Sequence, residues 1–312
     1  MSAHAWMPVS PCGDGCVDRS TPTVGGFRAF LRGVAALVVL LSGALVVCAV
    51  LVLRGGARQS LLRGWFRALL RAFGARLRVV GPVFQATPGR GVLVVSNHVS
   101  WLDELAIDAT QPIRLVAKRD IRDWPVLGRL ITAARTVYLD RERLSLLPGT
   151  VAELAAALRG GAAVGIHAEG TTWCGVASGR YRPALFQAAL DAGVPVRPVV
   201  LRYLQEGSSS TRPAFVGSDT LLDSVSRVLR ARRLVVEVHV LDEVAPGRAA
   251  DRRELAAIVQ RESERVAHGD LVVPVRREHS VLGAEPGATG GTPATARPAP
   301  RGAAPPVQVI SP

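Results

Sequence analysis

The sequence predicts an α/β fold: a mixed, partly parallel sheet flanked by helices, preceded by an N-terminal transmembrane helix and an amphipathic interfacial helix. Three observations predict it. Short β-type runs alternate with helical stretches from about Leu77 onward. A run of about 20 uncharged apolar residues, the length that crosses a bilayer core, lies near the N-terminus. A basic stretch with helical apolar periodicity separates that run from the β/α region.

The amino-acid composition argues against two classes of protein: disordered proteins and proteins that bind nucleic acid. The chain has 312 residues, a net charge of +13 and 48% hydrophobic residues, which is enough to bury a sizeable core and excludes wholesale disorder. Aromatic residues make up only 5%, a poor supply for a protein that stacks nucleic-acid bases. Together with an apolar helix, the positive charge favours anionic lipid over nucleic acid as a partner.

The N-terminal 33 residues show no periodicity, and we expect residues 1–33 to be disordered. Residues 34–53 are predicted to form the transmembrane helix, since the run has no polar face; a buried core helix is the weaker alternative. Three arginines precede the run and five follow within about 20 residues, so the positive-inside rule places the following domain in the cytoplasm. The predicted location is the cell membrane, with a single pass.

Residues 56–77 are predicted to form a basic amphipathic helix. Leu62, Phe66 and Leu69 recur at helical spacing, whereas Arg63 and Arg67 fall on another face. Such a helix lies in the membrane interface or packs on the following domain, and the sequence leaves both open.

The β/α pattern extends over residues 78–275, and the Gly/Pro/Ala-rich residues 276–312 are predicted to be a disordered tail. The expected strands are LRVVGPV, GVLVVSN, IRLVAK, RTVYL, AAVGIH, VPVRPVVLRY and LVVEVHVL; the expected helices are Leu102–Ala109, Leu146–Leu158, Ala184–Asp191 and Arg252–Ala267.

Four cysteines occur in the chain: Cys12, Cys16, Cys48 and Cys174. Cys12 and Cys16 are close enough to pair or to share a metal, but no second pair of ligands lies near them in the sequence. The cysteines therefore predict neither a disulfide framework nor a zinc site.

The segment SNHVSWLDE, residues 96–104, carries the first chemical signal. His98 falls where a strand gives way to a loop, and the spacing of Ser100 and Asp103 predicts a capping box with Ser100 as N-cap. A carboxylate in that first turn can accept a hydrogen bond from one imidazole nitrogen, which suits His98 to deprotonate an alcohol. The alternative is a helix cap beside an ordinary turn histidine.

Three further segments lie at strand ends. In HAEGTTWCG, Gly170 allows close backbone approach and Thr171 and Thr172 offer hydroxyls, while Glu169 is suited to position an arginine or a hydroxyl. In VYLDRER, Arg141 follows a strand and could bind phosphate. The fourth segment is VPVRPVV. Each segment also has a purely structural alternative. HAEGTTWCG could be a tight turn without a ligand, Arg141 a solvated surface charge, and VPVRPVV an ordinary strand.

Together the four segments, in this order, resemble the glycerolipid acyltransferase family of the 1-acylglycerol-3-phosphate acyltransferase type. His98 and Asp103 match its His-x4-Asp block, Arg141 its second block, Glu169-Gly170-Thr171 its Glu-Gly-Thr-Arg block and Val194-Pro195 its fourth. The chain's single lysine, Lys118, with Pro125 and Gly128, resembles another family stretch. The resemblance covers about residues 78–240.

The sequence departs from the family pattern at two positions. Thr172 stands where the family usually has arginine, and Ala168 stands where it usually has proline. Arg180 or Arg182 could replace the missing arginine. The residues that the resemblance implies for substrate binding are Asn97, Lys118, Arg141, Glu169, Gly170, Thr171, Thr172 and Arg182.

The resemblance implies a membrane-bound enzyme, with residues 78–275 as its catalytic domain. It would transfer a fatty acyl group from acyl-CoA or acyl-carrier protein to the hydroxyl of a lysophospholipid, above all 1-acylglycerol-3-phosphate. His98 would be the general base and Asp103 would orient it, with no metal or other cofactor. Membrane lipids, the acyl donor and the lysophospholipid are the implied partners, with no nucleic acid.

Three alternatives remain at this point. Another lysolipid, such as a lyso-ornithine lipid, could be the acceptor. Cys174 could act as a nucleophile beside His167, as in a thioesterase or a ping-pong transferase. A non-catalytic basic membrane scaffold would explain the apolar helix and the charge but not the ordered motifs.

Overall fold

The computed structural model describes residues 8–85, 87, 89–118, 137–140 and 143–267. Within them one sheet has the strand order β1-β8-β6-β2-β5-β3-β4, with β7 paired to the far end of β6. The strands are β1 Ala75–Val80, β2 Val92–Ser96, β3 Arg114–Lys118, β4 Val137–Leu139, β5 Ala163–His167, β6 Val196–Gln205, β7 Ser208–Ser209 and β8 Leu234–Val240.

The sheet is mixed, as the alternating sequence pattern predicts. Strands β2, β3, β4, β5 and β6 run parallel, and β1 runs parallel to β8, while the β6–β8 and β6–β7 pairs are antiparallel. The central strand β2 is buried along its whole length because helices cover both faces. The carboxyl ends of β2, β3, β4 and β5 consequently meet at one edge, which is where α/β sheets usually bind ligands.

Two helical layers sandwich the sheet. The helices are α1 Gly26–Val52, α2 Gly55–Ala72, α3 Leu102–Thr110, α4 Leu147–Arg159, α5 Gln187–Ala192, α6 Leu221–Arg230 and α7 Arg252–Ala267. Leu70, Leu102 and Val228 bring α2, α3 and α6 into one apolar core. Leu154 and Val259 bring α4 and α7 into the core on the opposite face.

The predicted helices and strands agree with these bounds to within a few residues, with some exceptions. The sequence did not predict α6, which a Thr220–Asp223 capping box starts. The predicted helix Ala184–Asp191 begins instead with a 3-10 turn, Pro183–Phe186, and the α-helix α5 covers Gln187–Ala192. The predicted tail, residues 276–312, lies outside the described residues.

The prediction that residues 1–33 are disordered is wrong for the part of this segment that the structure describes. Residues 8–25, here called the N-terminal strap, pack along the domain, and α1 already begins at Gly26. The Arg212 guanidinium donates to the Thr21 hydroxyl and carbonyl, both at 2.7 Å, and the Gln205 amide donates to the Pro22 carbonyl at 2.6 Å. Hydrogen bonds between the backbone of the strap and distant side chains leave no periodic pattern in the sequence, so the sequence does not predict them.

Helices α1 and α2 form a hairpin whose contacts are specific. The Trp65 indole of α2 donates to the Val39 carbonyl of α1 at 3.0 Å, and its ring lies against Gly43, where an added Cβ would approach it to 3.1 Å. Helix α2 in turn packs on the domain through Leu70 and through Arg67, whose Nε donates to the Ala109 carbonyl at 2.9 Å. The domain-packed alternative for the amphipathic helix therefore holds, and the helix ends at Ala72 rather than residue 77.

Helix α1 is long and apolar enough to cross a membrane, and only 11% of its most apolar window is buried within the protein. However, the strap that precedes α1 and strand β1 that follows α2 both belong to one packed domain. A single crossing by α1 would place the strap and the domain on opposite sides of the membrane. The predicted single-pass topology is therefore inconsistent with this fold, in which α1 can enter a membrane only as one arm of a hairpin.

Because α1 has an exposed apolar face, we expect it to bind membranes, and we expect charged residues introduced on that face to prevent the binding. We expect the Leu41→Asp/Leu45→Asp variant to lose at least about 100-fold in affinity for phospholipid vesicles, because each charge near a membrane-helix centre costs about 2.5–3.5 kcal/mol. Vesicle flotation measures this loss. Val83→Asp, the same change at an exposed apolar residue outside the hairpin, is the control and should float like the wild type. Equal flotation of the double variant would show that α1 does not enter the membrane.

Candidate active site

His98 and Asp103 lie together at the sheet edge where β2 ends. His98 Nδ1 donates to Asp103 Oδ2 at 2.8 Å, which leaves Nε2 as the ring nitrogen able to accept a proton. The same carboxylate oxygen accepts the backbone N–H groups of Val99 at 2.6 Å and Ser100 at 2.9 Å, and the Tyr203 hydroxyl donates to Oδ1. The prediction that these two side chains pair is met by this geometry.

The predicted N-cap at Ser100 is confirmed. The Ser100 hydroxyl accepts the Leu102 N–H at 3.4 Å and the Ser100 carbonyl accepts the Asp103 N–H at 3.1 Å, while Trp101, between Ser100 and the first residue of α3, already has helical backbone angles. The Asp103 carboxylate provides the reciprocal half of a capping box, because it accepts the Ser100 N–H while also holding the histidine. A carboxylate in the first turn of a helix is further stabilised by the helix dipole.

The backbone of His98 is held from the loop that follows β5. Its N–H donates to Glu169 Oε2 at 2.6 Å, and its carbonyl accepts the Trp173 N–H at 2.8 Å. Glu169 Oε1 accepts the Gly179 N–H at 2.6 Å. The predicted role of Glu169, to position an arginine or a hydroxyl, is therefore wrong: the buried carboxylate joins two backbone segments and fixes the position of His98.

A second histidine–carboxylate pair lies directly against the first. The rings of His98 and His167 stack with their centroids 4.0 Å apart and an interplanar angle of 9°. His167 Nε2 lies 2.9 Å from Glu104 Oε1, and Nδ1 lies 2.8 Å from the Ser96 hydroxyl and 3.1 Å from the Asn97 carbonyl. The carboxylate and the carbonyl can only accept, and the hydroxyl can accept as well, so a doubly protonated His167 ring satisfies all three partners.

The two histidines consequently have opposite pKa shifts. Burial and the neighbouring His167 lower the pKa of His98 despite its bond to Asp103. Burial opposes the charge on His167, but the charge and hydrogen bond of Glu104 raise the pKa of His167 to about 9. At neutral pH His98 is therefore a neutral base beside a fixed positive charge.

The acidic groups of the site also differ in pKa. Burial would raise the pKa of Asp103, yet the hydrogen bond and charge of His98 bring it below its usual value. Burial raises the pKa of Glu169 to about 8, although hydrogen bonds from the backbone N–H groups of Gly179 and His98 lower it. Asp103 therefore stays ionised next to His98, which stabilises an imidazolium formed there.

Asn97, predicted to bind substrate, is used within the fold. Its amide nitrogen donates to the Leu201 carbonyl at 3.0 Å, and its amide oxygen accepts the Leu201 N–H at 2.8 Å. Both polar atoms of the side chain are thereby engaged by β6. Asn97 therefore supports the turn that presents His98, a structural role that the sequence does not predict.

Gly170, Thr171 and Thr172 lie on the loop that holds His98. Gly170 has a φ of +75°, and an added Cβ would lie 2.8 Å from the Pro8 ring of the strap, so the position requires glycine. The Thr172 hydroxyl donates to the Phe215 carbonyl, and Thr171 is half-buried. The Thr172 hydroxyl is therefore engaged within the fold, as the Asn97 amide is.

Arg182 lies beside the same loop and is exposed. Its backbone N–H donates to the Ala168 carbonyl at 2.7 Å, and its Cγ would lie 3.8 Å from a Cβ added at Gly170. The guanidinium, several bonds further along the side chain, can therefore reach a ligand bound near this loop.

The remaining predicted contacts follow β3 and β4. Lys118 is the last residue of β3, where it pairs with Leu139 of β4, and both strands end at the edge that carries His98. Arg141 comes two residues after the end of β4 but lies outside the described residues. The sheet topology thus brings the end of β3 and the end of β4 to the same edge as the histidine.

Three site residues escape prediction from the sequence: Glu104, Tyr203 and His167 in its role as a partner of His98. Glu104 directly follows Asp103, so a second acid in the first turn of α3 was a signal in the sequence. His167 directly precedes the Ala168-Glu169 pair, but the sequence relates it only to Cys174. No motif in the sequence indicates a role for Tyr203, because β6 brings it to Asp103 although the two residues are 100 positions apart in the chain.

The alternative that uses Cys174 as a nucleophile finds no support in this arrangement. Both ring nitrogens of His167 face Glu104 and the Asn97 carbonyl, so His167 does not activate the thiol. Cys174 itself is buried against two other cysteines.

Comparison with known proteins agrees with this geometry. The family model named Acyltransferase matches residues 76–202. A lyso-ornithine lipid O-acyltransferase of Brucella abortus is 32% identical over 252 residues, which cover 76% of this chain and 92% of that protein. The chain belongs to the acyltransferase family.

Other acyltransferases are similar at comparable levels. A lyso-ornithine lipid O-acyltransferase of Pseudomonas aeruginosa is 34% identical, covering 65% of this chain and 76% of that protein. A 1-acyl-sn-glycerol-3-phosphate acyltransferase of Neisseria gonorrhoeae is 33% identical, covering 59% of this chain and 72% of that protein. The crystal structure of the acyltransferase PlsC from Thermotoga maritima shares the fold, with a TM-score of 0.61 and 18% identity over 80% of this chain and 97% of that one.

The His98–Asp103 pair predicts two variants with distinct effects. His98→Ala should lower kcat at least about 100-fold, since it removes the proton acceptor. Asp103→Asn should lose most activity yet stay folded, because a flipped amide still accepts the Val99 and Ser100 N–H groups and donates to Tyr203. Acyl-transfer kinetics and thermal unfolding measure both effects.

The matched control for these variants is Asp108→Asn, a change at another carboxylate of α3 that binds the Ile113 N–H instead of a histidine. We expect Asp108→Asn to retain activity. More than half of the wild-type activity in His98→Ala would contradict the assignment of His98 as general base.

The stacked His167 predicts a pH effect of known sign. The positive charge on His167 lowers the pKa of His98, so His167→Phe should raise the pKa of His98. Because the base must be neutral to act, the acidic limb of the kcat/KM profile should move to higher pH. A profile of kcat/KM against pH, compared with the wild type, measures the shift. An unchanged acidic limb, or one at lower pH, would show that His167 carries no charge in the active enzyme.

Proposed function

We propose that this acyltransferase transfers a fatty acyl group from acyl-CoA or acyl-carrier protein to the free hydroxyl of a lysophospholipid, with 1-acylglycerol-3-phosphate as the main acceptor and phosphatidate as its product. The observation that carries the proposal is the neutral His98 held by the ionised Asp103 at the sheet edge. The membership of the chain in the acyltransferase family supports the same reaction class.

The proposed reaction is a direct transfer. His98 Nε2 takes the proton of the acceptor hydroxyl as its oxygen forms a bond to the thioester carbonyl carbon. The carbon–sulfur bond then breaks, and the leaving thiolate takes the proton back from His98. Asp103 stabilises the transient imidazolium, and such general-base help is worth about 10²–10⁴-fold in rate. This chemistry needs no metal and no covalent enzyme intermediate.

The proposed surroundings of the enzyme are a membrane and its lipids. Both the acceptor and the product are membrane lipids, and the α1–α2 hairpin joins the catalytic domain to an exposed apolar surface. We propose that the domain faces the cytoplasm, because Arg28 and Arg32 at the start of α1 lie on the same side as the domain.

A second acceptor, a lyso-ornithine lipid, is favoured by a specific observation. The third motif has Thr172 where an arginine would contact phosphate, and the Thr172 hydroxyl is engaged by the Phe215 carbonyl. Two of the similar proteins carry the name lyso-ornithine lipid O-acyltransferase. Phosphate recognition would then depend on Arg141, Arg182 and Lys118, and a weak contribution from them would favour the phosphate-free acceptor.

An acceptor panel with arginine variants tests the proposal. We expect the purified enzyme to acylate lysophosphatidate faster than lyso-ornithine lipid, as read by lipid mass spectrometry. Arg141→Ala and Arg182→Ala should each raise KM for lysophosphatidate about 10–150-fold with little effect on KM for the acyl donor, because each loses a charge-assisted hydrogen bond of about 1.5–3 kcal/mol.

Two further variants show whether the effects of the arginine variants come from loss of phosphate recognition. Arg143→Ala removes an exposed arginine that pairs with Asp140, and it should leave KM for lysophosphatidate unchanged. Thr172→Arg should retain or improve the use of lysophosphatidate. Faster acylation of lyso-ornithine lipid would replace the first acceptor with the second, and an effect of Arg141→Ala on the donor alone would move that residue to the donor site.

A further inference from the structure

Three cysteines that are far apart in the sequence meet beside the active-site loop. Cys12 and Cys16 belong to the N-terminal strap, and Cys174 belongs to the loop that follows β5. Their three sulfur atoms all lie within 4.8 Å of one another, and all three thiols are free. Cys12 and Cys174 are buried, while Cys16 is exposed.

This arrangement fits a soft metal ion. Zinc binds thiolate sulfur at about 2.3 Å in tetrahedral geometry, which puts neighbouring sulfurs about 3.8 Å apart, so small side-chain shifts complete the site. Thiolates select zinc and similar soft ions over magnesium or calcium. A disulfide, by contrast, would use only two of the three sulfurs and would leave the third unexplained.

We propose that Cys12, Cys16 and Cys174 bind one zinc ion through three thiolate sulfurs. Three zinc–sulfur bonds form, the three thiol protons pass to solvent, and the ion keeps its charge of +2, so no oxidant or reductant is needed. Because Cys16 is exposed, the fourth position of the ion faces solvent and takes a water molecule or another small ligand.

The ion would act as a clamp on the catalytic loop rather than in acyl transfer. Cys174 directly follows Trp173, whose N–H donates to the His98 carbonyl at 2.8 Å. The strap contacts the same loop at Gly170, against which Pro8 packs. Zinc bound by all three cysteines therefore joins the strap to the loop that holds the backbone of His98. The sequence did not predict the site, because the third ligand, Cys174, is separated from Cys12 and Cys16 by more than half of the described chain, including α1 and α2.

Metal binding to the full-length protein in detergent tests the proposal. The protein is reduced, stripped with a chelator, loaded with Zn²⁺ under anaerobic conditions and dialysed, and its zinc content is then measured. We expect one zinc per chain, and Co²⁺ in its place should show sulfur-to-cobalt charge-transfer absorption. Cys12→Ser, Cys16→Ser and Cys174→Ser should each weaken zinc binding by at least about 10–100-fold, the range seen when even an outer partner of a metal ligand is lost.

Cys48→Ser is the matched control, since Cys48 is an exposed free cysteine on α1 outside the cluster. It should bind zinc like the wild type, and zinc should raise the unfolding midpoint of both proteins but not that of Cys16→Ser. Cys16 is exposed, so its replacement removes a ligand without opening the core. Equal zinc content in the wild type and the Cys12/Cys16/Cys174 triple serine variant would overturn the proposal, as would loss of two free thiols to a disulfide in the zinc-treated protein.

Discussion

The fully buried carboxylate of Asp103 is the interaction on which the catalytic end of this fold depends. It accepts hydrogen bonds from the His98 ring, from two backbone amides of the β2–α3 turn and from the Tyr203 hydroxyl of β6. A buried charge without such partners costs several kcal/mol, so turn, helix and neighbouring strand must all be in place together. These four hydrogen bonds stabilise the buried charge. Three of them fix the carboxylate in place, and the fourth uses that fixed carboxylate to orient the His98 ring.

The acidic groups of the site have two kinds of partner, and their pKa values differ accordingly. Asp103 and Glu104 each face a histidine ring and have lowered pKa values, whereas Glu169 faces uncharged amides and has a raised pKa. The consequence is a stacked pair of histidines in which His98 is neutral and His167 is charged. A base that stays unprotonated near pH 7 is what deprotonation of an alcohol requires. The positive charge of His167 also lies close to the reacting groups.

The N-terminal part of the chain links the exposed apolar helix α1 to the catalytic loop. The strap lies on the domain, α1 leaves it, and α2 returns to pack against α3, which carries Asp103. A lipid acceptor in the membrane would therefore meet an active site whose supporting helix is in direct contact with the hairpin. The proposed zinc site would extend this connection, since it joins the strap to the loop that holds the His98 backbone.

Local sequence patterns are enough to predict the α/β class, the apolar N-terminal helix, most strand positions and the His98–Asp103 pair. These are local properties: they depend on periodicity, on strand ends and on residues five positions apart. The folded chain is needed to show that Glu169 holds backbone amides, that His167 stacks on His98, and that Tyr203 reaches Asp103. The same is true of the order in residues 8–25 and of the meeting of Cys12 and Cys16 with Cys174. Each of these contacts joins segments that are distant in the chain, and such pairings depend on strand order and packing, which no local pattern encodes.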